Sequence, residues 1–91
     1  MNVTQTDLRK RLLYILHLGF VEARLLALGQ KYQQIFDLAD AMELLPRYVD
    51  ECTDENLESI RFVLKNYQEK YPESRFDYLA RLEQYDPPER Y

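Results

Sequence analysis

Residues 8–28, LRKRLLYILHLGFVEARLLAL, place their apolar side chains along two lines of a single helix. At 100° per residue, one line runs Leu8, Leu12, Ile15, Gly19, Ala23 and Leu26, with Leu16 and Ala27 at its edge. The other runs Tyr14, Leu18, Val21, Leu25 and Leu28. Polar residues occupy narrow slots between the lines: Lys10, His17 and Arg24 in one, Arg11 and Glu22 in the other. A surface helix normally buries one stripe and wets the rest. This helix therefore asks to be covered on two sides. Thr4 followed by Asp7 predicts its start, as a capping box with Asp in place of Glu. Gly29 is expected to end it in the left-handed conformation that glycine adopts cheaply. Gly19 lies inside the first line, where a close approach by another helix accounts for it and no break is expected.

The remaining chain reads as shorter helices. Over 31–45, Tyr32, Ile35, Phe36, Leu38, Ala39, Met42 and Leu45 share a broad face, and Asp37 and Asp40 lie opposite. Pro46 ends or kinks that helix, and residues 46–51 form a short helical turn with Pro first. Thr53 or Asp54 starts the next helix, with acids in its first turn where the helix dipole favours them. Its stripe is Leu57, Ile60, Val63, Leu64, Tyr67 and Tyr71, its end is Pro72, and Phe62 points away among charged residues. A last helix spans 73–85, with Phe76, Leu79 and Ala80 inward and Tyr78, Leu82 and Tyr85 as a second line. Residues 86–91 read as an extended or loose tail. The expectation is one all-α domain over 1–91: an antiparallel bundle of three to four helices with a short helical turn near 46–51.

Charge changes the picture more than composition does. The net charge is −4, but residues 37–58 hold eight acids and one base, Arg47, which makes that segment −7 and the remainder +3. An acidic chain is a poor binder of nucleic acid, where contacts to phosphate supply most of the affinity. It is suited to steering a basic protein partner. The longest apolar window, 12–28, is interrupted by His17, Glu22 and Arg24, so no membrane span and no membrane partner are expected. Basic residues ahead of that window resemble a signal peptide only faintly, and no small-residue cleavage site follows. One Cys excludes an internal disulfide and fits a reducing, cytoplasmic location. One Cys and one His exclude a four-ligand zinc site of the usual kind.

Candidate chemistry is sparse. Cys52 with His17 as its base is disfavoured, because neighbouring acids raise a thiol pKa and neighbouring cations disfavour a protonated imidazole. Replacing Cys52 is expected to be harmless, as at a surface position. Asp37 and Asp40 at i and i+3 lack the further oxygen ligands that a hard cation needs. The stretch DECTDENLE has no EF-hand order of carboxylates, and no glycine-rich phosphate loop is present. The reading is of a protein that is not an enzyme and takes no cofactor or metal.

Two functions fit the pattern. In the first, Asp37, Asp40, Tyr48, Asp50, Glu51, Asp54 and Glu55 form one exposed surface that contacts a basic partner, with Tyr48 as an anchor. In size, acidity and helical content the chain is similar to small inhibitors such as the nuclease-toxin immunity proteins, a likeness of class that no motif carries. In the second, the chain is a homodimer through Tyr14, Leu18, Val21, Leu25 and Leu28, a patch larger than monomers usually expose. The rival cover for that stripe is the last helix, through Tyr78, Leu82 and Tyr85. The line of Lys10, His17 and Arg24 is suited to face acids of the chain or of a partner. Eight Tyr and no Trp suit either an interface rim or the shell of a thin core.

Overall fold

The structure is a computed structural model that describes residues 5–84. It is all-α: α1 (Gln5–Leu28), α2 (Tyr32–Met42), α3 (Leu44–Tyr48), α4 (Asp54–Lys70) and α5 (Tyr78–Glu83), with no strand among the described residues. α1 borders α2, α3 and α5, and α4 borders the same three, so α1 and α4 stand diagonally across the core. Leu8, Leu12 and Ile15 of α1, Leu38 of α2, Leu45 of α3, Ile60 and Leu64 of α4 and Tyr78 and Leu82 of α5 fill that core. The fully buried ones contribute about 1.5–3 kcal/mol each relative to exposure.

α1 runs unbroken through Gly19, as expected from lines that stay in phase. The reason for glycine is local: a Cβ there would lie 3.0 Å from the Met42 sulfur. Its C-terminus departs from expectation. The left-handed residue is Gln30, with φ 59°, and neither glycine has positive φ. Lys31 N–H donates to the Leu26 carbonyl (2.9 Å) and Gln30 N–H to that of Ala27 (3.1 Å), the paired bonds of a Schellman cap. The helix runs one residue further than glycine marked, so the strained slot falls on Gln30. Thr4, the expected cap, lies outside the described residues.

The helix expected over 31–45 breaks at Met42 and not at Pro46. The ring of a proline clashes with the carbonyl four residues earlier and leaves it without its donor. For Pro46 that carbonyl belongs to Met42, where α2 ends. Glu43 keeps helical angles (φ −57°, ψ −37°), so α3 follows as a kinked continuation with Pro46 as its third residue. α2 is also turned from the expected face. Leu38, Ala41, Met42 and Gln34 are buried, whereas Tyr32 and Phe36 are 58% and 67% exposed.

α4 matches its reading. Thr53 Oγ1 accepts from Asn56 N–H at 3.1 Å, and Tyr71, before Pro72, leaves the helical region with φ −126° and ψ 72°. α5 is shorter than the expected 73–85. Asp77 caps it, accepting from Ala80 N–H at 3.1 Å. Gln68 secures the junction from α4, donating to Asp77 Oδ1 (3.0 Å) and accepting from Leu79 N–H (2.8 Å). Its buried face is the expected second line: Tyr78 and Leu82 are inside, and Ala80 is exposed. Tyr85 and the tail 86–91 lie outside the described residues. Arg11 of α1 donates to the Leu82 and Glu83 carbonyls (2.9 and 2.8 Å), filling acceptors that the end of α5 leaves open.

Candidate functional site

The six carboxylates among the seven residues expected on one acidic surface divide into two groups. Asp37 and Asp40 sit on α2 beside the C-terminal half of α4, where they line a cleft of about 230 Å³ with Ala41, Val63 and Lys70. Asp37 is half-buried, pairs with Lys70 Nζ at 2.9 Å and accepts from the Tyr71 hydroxyl. The Tyr71 hydrogen bond, and then Lys70, hold its carboxyl below the usual range. Asp37 in turn raises both Lys70 and Tyr71. Asp50, Glu51, Asp54 and Glu55 are all exposed and surround the start of α4. Asp54 is sixteen residues from Lys70, roughly 24 Å along a helix. Tyr48 is half-buried against the core.

The second group is held by an element that the sequence did not advertise. Gln5 of α1 donates to the Cys52 carbonyl and accepts from Cys52 N–H, both at 3.1 Å. Cys52 itself is buried in the core, which corrects the expectation of a surface position. Burial, followed by Asp54, pushes its thiol up. Thus Asp50 and Glu51 on one side, and Asp54 and Glu55 on the other, flank a pinned backbone. Arg9 approaches Asp50 at 3.6 Å, both side chains being exposed. Such a pair in water contributes under about 1 kcal/mol. His17 is exposed on α1, twelve residues from the Gln5 that holds Cys52, roughly 18 Å along the helix. The two therefore do not form a nucleophile and base.

The second line of α1 is largely taken by α5. Leu18 is 7% exposed, Tyr14 and Val21 are half-buried, and Arg81 of α5 lies over the Tyr14 ring at 5.8 Å. Leu25 and Leu28, beyond the reach of α5, are 41% and 83% exposed. The rival cover thus fills the middle of the line, and the five residues expected to self-associate do not form one open patch. Lys10, His17 and Arg24 are exposed in line beside it, with His17 stacked on Tyr14. Phe62 is 65% exposed next to Arg61, which bridges Glu58 and Glu83.

Two features were missed. The first is a buried polar cluster around Glu22, which is 2% exposed. Its carboxylate accepts from Ser74 Oγ (2.9 Å), Arg75 N–H (3.3 Å) and the Tyr78 hydroxyl. Gln34 donates to the neighbouring Tyr67 hydroxyl at 3.0 Å. Burial pushes Tyr67 up to about 12, and burial with Glu22 raises Tyr78 as well. Both Glu22 oxygens are engaged, so the cluster ties the 71–77 loop to α1. The signal was present: an acid between two apolar lines, on a helix covered over both, is enclosed by whatever covers them.

The second feature is a third apolar line on α1, Leu13, Leu16, Phe20, Ala23 and Ala27. Leu16, Phe20 and Ala23 of it meet Ile35, Leu38, Ala39 and Met42 of α2 across a groove of about 100 Å³ lined only by apolar residues and Gly19, and Tyr32 and Phe36 lie on the same side of α2 as Ile35 and Ala39. Leu13, Phe20, Tyr32 and Phe36 are each 47–68% exposed.

Among the described residues no group of His, Cys, Asp and Glu is arranged to hold a metal ion. No described helix is long and apolar enough to cross a membrane. Comparison of the chain with protein-family models, with curated proteins and with solved structures returns no match.

Proposed function

We propose that this protein is a small, non-catalytic interaction module that docks a basic protein partner through Asp50, Glu51, Asp54 and Glu55, in the manner of an inhibitor. The observation supporting this is the clamp between Gln5 and Cys52. Four exposed carboxylates flank a backbone that a neighbouring helix holds in place. Pre-ordered groups lose less freedom when a partner arrives, so more of their attraction appears as affinity. Their charge also speeds encounter at low salt. The first turn of α4 favours acids through its dipole, which lets Asp54 and Glu55 stand together at little cost to folding. Asp37, tied to Lys70 and Tyr71, has no part in this surface.

The test is titration with an arginine-rich peptide, followed residue by residue by NMR at low and at physiological salt. Shifts are expected at 50–55, weakening with salt. The variant carrying Asp50→Asn, Glu51→Gln, Asp54→Asn and Glu55→Gln should lose them while keeping its helicity. Equal binding by that variant, or shifts centred elsewhere, removes the proposal.

A further inference from the structure

We infer that the apolar face shared by α1 and α2 is a homodimer interface, in which α1 of each copy lies over α2 of the other. The face has the anatomy of an interface centre. Along α1 it extends from Leu13 to Ala27, about 21 Å at 1.5 Å per residue. Along α2 it extends from Tyr32 to Ala39, about 10 Å. With helices about 10 Å apart, its footprint is roughly 300 Å². That matches the largest apolar patches of monomeric proteins, which are often functional. Phe20, 68% exposed, lines the groove beside Gly19, and Phe36, 67% exposed, projects from the same side of α2 as the groove-lining Ile35 and Ala39. The groove exists because Gly19 has no side chain, which lets Met42 close onto α1.

The rims decide what the occupant is. Beyond the apolar line of α1 lies the basic row that includes Lys10 and Arg24; beyond that of α2 lies Asp40. All three are exposed, and none is in an ion pair with another described residue. The face therefore carries opposite charge on its two long edges, which makes it complementary to itself. A two-fold axis lying in the face, parallel to the helices, sets the basic edge of one copy over the acidic edge of the other. The heights agree. The contact of Gly19 with Met42 fixes the level of the two antiparallel helices. Arg24 is five positions past Gly19 and Asp40 two positions before Met42, both toward the α1–α2 turn, so they differ in height by about 4.5 Å. An arginine side chain spans that difference. The same rotation lays Phe20 of one copy against the row of Phe36 and Ala39 in the other. An isologous contact of this kind closes after two copies, and its small apolar centre places the dimer in the weak, micromolar class.

Sedimentation across protein concentrations tests this on the full chain. The wild type is expected to dimerise with rising concentration. Phe20→Glu with Phe36→Glu should raise the dimer Kd at least about 100-fold while leaving helicity unchanged, both sites being exposed. Arg24→Glu alone and Asp40→Arg alone should each weaken the dimer about 10-fold, and the two together should restore it to within about 3-fold of wild type. A wild type that stays monomeric at about 500 µM overturns the inference, whether the face is then covered by residues 85–91 or by a different protein. So does a dimer that survives the double Phe change, one that the charge swap fails to restore, or one broken by Leu28→Glu instead.

Discussion

Glu22 and Phe20 are two residues apart on α1 and live in opposite surroundings. The carboxylate is 2% exposed and the aromatic ring 68% exposed. Hydrophobicity alone orders them the other way. Two positions turn a helix by 200°, so the two side chains leave on nearly opposite sides. Glu22 falls between the lines covered by α2 and α5 and is enclosed together with them. Phe20 falls at the outer side of the α1–α2 groove, where no described element covers its ring. Enclosure is tolerated because the 71–77 loop delivers two donors to the carboxylate, from Ser74 and Arg75, and α5 a third, the Tyr78 hydroxyl. The comparison teaches that on a helix flanked by several neighbours, the gaps between neighbours decide burial, and polarity decides only which partners must then be supplied.

The largest break in that comparison is Glu22→Leu. It satisfies hydrophobicity but strands the Tyr78 hydroxyl in the core, and stability should fall by about 2–4 kcal/mol. Thermal melting should show a drop of roughly 10 °C or more, with part of it recovered when Tyr78→Phe is added. Phe20→Gln should keep the monomer within about 0.5 kcal/mol, and should abolish any rise of melting temperature with protein concentration. A fall as large as that of Glu22→Leu would mean that Phe20 is enclosed after all.

Alkali should attack the buried cluster most strongly. Tyr67 is pushed from 10.0 up to about 12, and Tyr78 is raised too. A raised acid is stabilising while both states are protonated; that contribution declines once the unfolded chain ionises above its own pKa, and is gone when the folded group ionises. Stability followed by circular dichroism should therefore begin to fall gently near pH 9, where the unfolded Cys52 thiol ionises, and decline most steeply between about 10 and 12. Tyr78→Phe, which removes one of the two titrating groups, should make that decline shallower.

Smaller effects sharpen the same contrast at the ends of α1. Gln5→Ala removes both bonds to Cys52 and should cost about 1–2 kcal/mol, with faster amide exchange confined to 49–53. Cys52→Ser should cost about 1 kcal/mol, as in a core and not as at a surface. Gln30→Gly relieves a left-handed residue and should stabilise by up to about 1 kcal/mol in urea unfolding. A neutral result would mean that Gln30 pays no conformational penalty where it stands.

The sequence by itself determined the class of fold and most of its punctuation. The period of the apolar residues, Thr53 as a cap, Pro72 as a stop and an unbroken passage through Gly19 follow from rules that act within one turn of chain. The demand that α1 be covered on more than one side was legible too, because it is a property of angles along a single helix. Tertiary structure decided which neighbour met which side. It chose Tyr78 and Leu82 over Leu79 and Ala80 for the face of α5, and turned Phe36 of α2 outward. It also enclosed Cys52 and Glu22, and separated Asp37 and Asp40 from the carboxylates at 50–55. The shift of the break before Pro46 back to Met42 is local, four residues before the proline ring; the burials depend on side chains about fifty positions away, such as Gln5 on Cys52 and Ser74 on Glu22, whose meeting is set by how short helices rotate and slide to fill one core. Periodicity fixes the spacing of residues on a face; it leaves open which face is turned inward when a helix has more than one to offer.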